Sequence, residues 1–142
     1  MTKAAAPSAA PPLDTSSGGA DARILTIILN YKTPQMTLDC AAAALEQMEE
    51  LPGEVVIIDN GSADGSYEQL LTAVQERGWL DSGRLRLIAS DRNGGFGAGM
   101  NIGFRLGLAD GSAPEFYYLL NSDAFLEGTT ISRLREFLLS SP

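Results

Sequence analysis

Short apolar runs alternate along the chain with segments whose apolar residues recur at helical spacing. "RILTIILN" is β-branched and unbroken for long enough to form a strand buried on both faces. "TPQMTLDCAAAALEQMEEL" follows, with Cys40, Ala44, Leu45, Met48 and Leu51 at helical spacing and Pro34 at a tolerated early position. "EVVIID" predicts a second strand. "DGSYEQLLTAVQERG" predicts a helix with Tyr67, Leu70, Leu71 and Val74 on one face and Gly78 closing it. "RLRLIAS" is a third strand and "FGAGMNIGFRLGLADG" a helix loosened by glycines. "PEFYYLLN" is a fourth strand, and "TTISRLREFLLSS" a last helix with Ile131, Leu134 and Leu138 aligned.

Strand and helix thus alternate four times, which predicts an α/β fold. The expected arrangement is three-layered and Rossmann-like, a mainly parallel four-stranded sheet flanked by helices with right-handed crossovers. Ligands of such sheets bind at the carboxyl ends of the strands, near the point where strand order reverses. Every unusual loop of this sequence falls at such an end.

Composition limits the picture further. Residues 1–22, "MTKAAAPSAAPPLDTSSGGADA", hold only Met1 and Leu13 as large apolar residues, which predicts a disordered Ala/Pro/Ser/Gly-rich tail ahead of a single domain over 23–142. The tail has no continuous apolar stretch, so a signal peptide is not expected. No apolar run approaches the roughly 20 residues that cross a bilayer. The expected location is the cytoplasm, with the inner face of the membrane as an alternative station. A net charge of −8 argues against nucleic acid, whose phosphates favour a basic face, yet leaves room for a nucleotide-sized ligand. Cys40 is the single cysteine and the sequence has no histidine, so an internal disulfide, a classical zinc site and Ser-His or Cys-His pairs are all excluded.

Four loops carry the candidate chemistry. In "LNYKTP", Tyr31 offers an aromatic face to a planar base and Asn30 offers amide hydrogen bonds; a plain strand-to-helix turn ended by Pro34 is the alternative. In "IIDNGSADGS", Asp59 ends a very apolar strand, where its carboxylate can meet a ring or ribose. Asn60, Gly61, Asp64 and Gly65 suit turns, and Asp64 or Ser66 suits a helix cap. An EF-hand fails there, because Asp64 and Leu70 stand where Gly and Glu belong. "SDRNGGFGAGMNIG" packs five glycines into ten residues, with Asn93 and Asn101 framing Gly94 and Gly95, as in loops that bare backbone N–H groups to phosphate. It fits neither the P-loop, since Met100 and Asn101 replace Lys and Ser/Thr, nor the dinucleotide fingerprint. In "LLNSDAFLEG", Asp123 either caps a turn or shares a divalent ion with a diphosphate.

Taken in order, "ILNYKTP", "VVIIDNGSADGS", "DRNGGFGAGMNIG" and "YYLLNSDAFL" resemble the nucleotide-sugar-binding half of family-two glycosyltransferases of the GT-A fold, most closely the rhamnosyltransferase-like branch. The resemblance implies roles by position. Asn30 and Tyr31 would line the base pocket, and Asp59, with Asn60 beside it, would meet a uracil or thymine ring or its ribose. Asn93, Gly94, Gly95 and Asn101 would sit by the diphosphate and sugar of a UDP- or dTDP-sugar. Asp123 matches the last position of the family's metal motif for Mg²⁺ or Mn²⁺. That motif reads Asn121-Ser122-Asp123 here, with an amide in place of its first carboxylate.

The activity implied is inverting transfer of a sugar to an acceptor hydroxyl on a glycan or lipid-linked molecule. Family members continue well past the metal motif, and their catalytic base lies in that later part. No catalytic residue is therefore assigned within these 142 residues. The expectation is donor binding without transfer by this stretch alone, and self-association through the face that the later part would cover. Two other classes stay open at this point: a non-catalytic nucleotide-binding or assembly module, and a nucleotidyltransferase, for which Arg92 is the sole basic candidate in the glycine loop.

Overall fold

The computed structural model describes residues 21–141; the tail expected over 1–22 therefore lies outside the described residues except for Asp21 and Ala22. Eight elements follow in strict alternation: β1 (Ile24–Asn30), α1 (Pro34–Gln47), β2 (Gly53–Asp59), α2 (Ser66–Glu76), β3 (Leu85–Ala89), α3 (Phe96–Leu106), β4 (Phe116–Asn121) and α4 (Thr130–Ser140). The strands form one parallel sheet in the order β3-β2-β1-β4. The strand order reverses at β1, so the crevice between the carboxyl ends of β1 and β4 is the place where such sheets take ligands.

β1 is the central strand, and all seven of its residues are buried. Its alternate side chains feed two cores. Ile24 and Ile28 pack with Val55, Ile57 and Leu120 beneath α1, α2 and α4. Leu25, Ile27 and Leu29 pack with Val56, Ile58 and Met100 beneath α3. The predicted three layers are present, with three helices on one face and one on the other.

Local rules account for the helix ends. Pro34 opens α1, where its missing N–H costs nothing. Gly78, at φ 72°, closes α2: its N–H donates to the Gln75 carbonyl at 3.0 Å and Trp79 N–H donates to Val74 at 3.0 Å, a Schellman ending. α3 lies so close on the sheet that side chains there are excluded. A Cβ at Gly103 would fall 2.6 Å from Ile27 Cδ1, and one at Gly99 would fall 2.5 Å from Leu29 Cδ1.

The β4 edge of the sheet leaves apolar residues open. α4 buries only Ile131 of its aligned set; Leu134 and Leu138 stay 46% and 47% exposed, because they border an open groove against β4 instead of packing into the core. β4 is covered on one face only. α3 sits over β1 and β2, leaving Tyr117 and Leu119 half open, with Phe104 of α3 edge-on to Tyr117 at 4.8 Å. Among the described residues, no helix is long and apolar enough to cross a membrane.

Candidate functional site

The loops leaving the four strands form one rim, tied together by side chains in the same order as the strands. Between the third and second loops, Asn60 donates to Asn93 Oδ1 at 2.9 Å and to the Gly95 carbonyl at 3.1 Å. Gly61 makes this approach possible, since a Cβ there would lie 2.3 Å from the Arg92 carbonyl carbon. Between the second and first loops, Asn30 Nδ2 donates to Asp59 Oδ1 at 2.8 Å, and Lys32 N–H donates to Ser62 Oγ at 2.9 Å. Between the first and fourth loops, the hydroxyls of Thr33 and Ser122 are 2.9 Å apart.

At the centre of the rim lies a buried polar network. Asn30 is 0% exposed; its carbonyl oxygen accepts from Thr37 Oγ1 at 2.6 Å while its amide nitrogen holds Asp59. Asp59 is 3% exposed, and its Oδ1 also accepts from Ser62 Oγ at 2.6 Å. Oδ2 meets only the Ser62 N–H, at 3.3 Å, and keeps most of its acceptor capacity. The backbone is strained on both sides of Ser62. Lys32 and Ala63 both adopt left-handed φ, 62° and 55°, which non-glycine residues avoid unless their surroundings over-determine it.

The other sequence candidates distribute as follows. Tyr31 is 41% exposed, its ring 5.1 Å from Lys32 Nζ. Asn93 folds back to accept from the Gly95 N–H at 2.8 Å, an Asx turn leading into α3. Gly95 caps that helix at φ 96°, and Gly94 and Gly95 are exposed. The glycine stretch therefore falls into two parts. Gly95 and Gly97 lie open at the helix start, Gly94 is exposed but would set a Cβ 2.9 Å from that of Ala98, and Gly99 and Gly103 serve packing. Asn101 stands apart on the solvent side of α3, and its side chain makes no hydrogen bond among the described residues. Asp64 accepts from the Ser66 N–H and Oγ, which hold its carboxyl below the ordinary range.

Asp123 follows β4 in a turn closed by Ala124 N–H to the Asn121 carbonyl at 3.0 Å. Asn121, by alternation along β4, emerges on the α3 side of the sheet, and the turn carries Asp123 across to α1. There Asp123 lines a cleft of about 160 Å³ with Asp39, Cys40 and Ser122. Burial pushes the Cys40 thiol up to about 11, and the neighbouring Asp123 carboxylate adds to the effect.

The sequence matches the Glycosyl transferase family 2 description over residues 25–142. The chain belongs to that family. No curated protein sequence matches it significantly. Among solved structures, a mannosyltransferase from Pyrobaculum calidifontis, determined in complex with GDP-Man and Mn²⁺, is similar at a TM-score of 0.62 and 19% identity. The match covers 90% of this chain and 35% of that protein, so this chain spans about a third of its length. The likeness establishes a shared fold for this family-2 glycosyltransferase chain.

The residues present fit a hard divalent cation in a limited way. Among the described residues no three acidic, thiol or imidazole groups cluster to form a protein cage. Asp123 is an exposed carboxylate at a strand end with Ser122 beside it, which suits an ion that takes most of its ligands from phosphate and water.

Ser62 and Thr37 belong to the polar network at the centre of the rim, and sequence reading misses them. Both are buried hydroxyls that complete the Asp59–Asn30 network, and each sits within a few residues of a helix start, where capping explains a hydroxyl equally well. The one available signal is the place of Ser62, three residues after Asp59.

Proposed function

We propose that the rim binds a nucleoside-diphosphate sugar, the donor half of an inverting sugar transfer. The supporting observation is the set of side-chain ties that joins each loop to the next, Asn93 to Asn60, Asp59 to Asn30 and Thr33 to Ser122. It links the glycine segment, Asp59, the turn that carries Tyr31 and the turn that carries Asp123 along the carboxyl edge of the sheet, where such folds take ligands.

In this reading the nucleoside meets Tyr31 and the free Oδ2 of Asp59. The diphosphate lies toward the exposed amides at Gly94 and Gly95, with the positive end of α3 behind them. Asp123 would hold Mg²⁺ or Mn²⁺, which when bound would offset charge on the departing nucleoside diphosphate, while Asn121 stands on the α3 side of the same strand end. An acceptor hydroxyl, deprotonated by a base outside these loops, attacks the anomeric carbon opposite the leaving group and inverts it. Fixing both reactants in line supplies much of the rate. The 142-residue stretch contributes donor binding, and alone it is expected to transfer little or nothing. The base is uracil or thymine, and the acceptor is a glycan or lipid-linked hydroxyl.

The test is a thermal-shift series with UDP-, dTDP- and GDP-sugars, with and without Mg²⁺ or Mn²⁺. A bound donor raises the midpoint by mass action. Asp123→Ala is expected to remove the metal-dependent part and keep a smaller metal-independent shift. No shift with any sugar nucleotide would overturn the reading.

A further inference from the structure

We infer that Asn30 and Ser62 are positioning residues that act on the donor only through Asp59, an inference that rests on the donor-binding reading above. Asn30 is fully buried and both ends of its amide are committed inside the protein, to Thr37 and to Asp59. It has nothing left to offer a ligand. Ser62, 3% exposed, donates its single proton to Asp59 Oδ1 at 2.6 Å, and its lone pairs receive Lys32 N–H and, at 3.4 Å, Asn30 Nδ2.

Both side chains therefore converge on one oxygen. With Oδ1 saturated by two donors, the carboxylate cannot rotate without breaking both bonds, and Oδ2 becomes its presenting atom. The acceptor-only Asp59 carboxylate fixes the Asn30 amide the right way round, which leaves the amide oxygen to accept from Thr37 Oγ1. The same hydroxyl of Ser62 anchors the left-handed Lys32 backbone, so the turn that carries Tyr31 is set by the group that sets Asp59. One buried serine thus ties the carboxylate to the turn that carries the aromatic ring. Such locking by a supporting shell separates a site that binds from one that is merely present.

A double-mutant cycle on the whole 142-residue chain tests this, read by isothermal titration with UDP, with GDP as a second nucleotide and inorganic diphosphate as control, all with Mn²⁺ present. Ser62→Ala is expected to weaken nucleoside-diphosphate binding roughly tenfold, the value of one well-placed hydrogen bond network member, and to change inorganic diphosphate binding by less than about twofold. Asp59→Ala should lose at least as much, and the double variant no more than Asp59→Ala alone. Asn30→Ala, which removes the other donor to the same oxygen and adds no charge, should repeat the Ser62→Ala pattern and serves if that variant fails to fold.

Equal losses from Ser62→Ala in the presence and absence of Asp59, or equal losses for UDP and inorganic diphosphate, would overturn the inference alone. An Asp59→Ala chain that binds normally, or a parent chain that binds neither nucleotide, would overturn the donor-binding reading and this inference with it.

Discussion

Asn30 and Asp59 stand opposite each other on the last rung of the β1–β2 ladder, and the amide of the first donates to the carboxylate of the second at 2.8 Å. Parallel register makes the pairing possible: two strands ending level bring two polar side chains to one height, on the α1 side of the sheet. Replacing Asn30 with Leu would take one of its two donors from Asp59 Oδ1, leaving that of Ser62, and would strip Thr37 Oγ1 of its acceptor. The expected loss is about 1–3 kcal/mol in urea unfolding, the cost of one orphaned buried group. An unchanged midpoint would mean that water replaces the amide.

The glycines of α3 should respond in opposite directions. Gly97 has open space around it, so Gly97→Ala is expected to gain up to about 1 kcal/mol in helix propensity. At Gly103 three atoms of Ile27 lie within 3.0 Å of the new Cβ. Ile27 is branched and stiff, so overpacking of roughly 1–3 kcal/mol outweighs the propensity gain. Thermal melts of the two variants should move apart by several degrees.

Cys40 provides a pH probe. Its folded value of about 11 lies above the ordinary 9.0, so the native state holds the thiol proton more tightly than the unfolded chain does. The stability this contributes is complete below pH 9 and is lost as pH rises from 9 toward 11. Thiol alkylation should be slow in the native protein at pH 8 and fast in urea. Asp123→Asn should accelerate it modestly at pH 9–10 by removing the second contributor.

The open faces of β4 and α4 predict association. Phe137 is 64% exposed and Leu134 46%, beside a groove of about 290 Å³ running along β4. Sedimentation is expected to show dimers or larger species at micromolar concentration, and Phe137→Glu should shift them toward monomer. A parent chain that is monomeric and melts cooperatively would refute this.

The eight elements were legible because their patterns are unmixed: β1 has no polar residue besides Thr26 and Asn30, and α2 has its closing glycine in place. The rim was legible as four loops at strand ends. The direction in which each side chain turns was not. Asp59 reads as a residue presented to solvent, yet it is drawn beneath the first loop by Ser62 and Asn30. Asn101 looks like part of the glycine loop, but α3 has already begun at Phe96 and rotates it outward. In both cases the outcome is set by partners distant in sequence, which spacing does not encode. The stripe of Ile131, Leu134 and Leu138 is a related case: periodicity marks it and says nothing of what covers it.

Because the ties follow sheet order, each outer loop is fastened to the assembly at one side only: the glycine segment through Asn60, and the Asn121–Asp123 turn through Thr33. The two inner loops are fastened on both sides and share a buried serine. Evolution can then swap an outer loop to suit a different sugar or ion without rebuilding the middle, whereas an insertion between Asn30 and Thr33 would disturb every neighbour at once. Natural variation among relatives should accumulate at the two flanks of the crevice and be sparse at its hub.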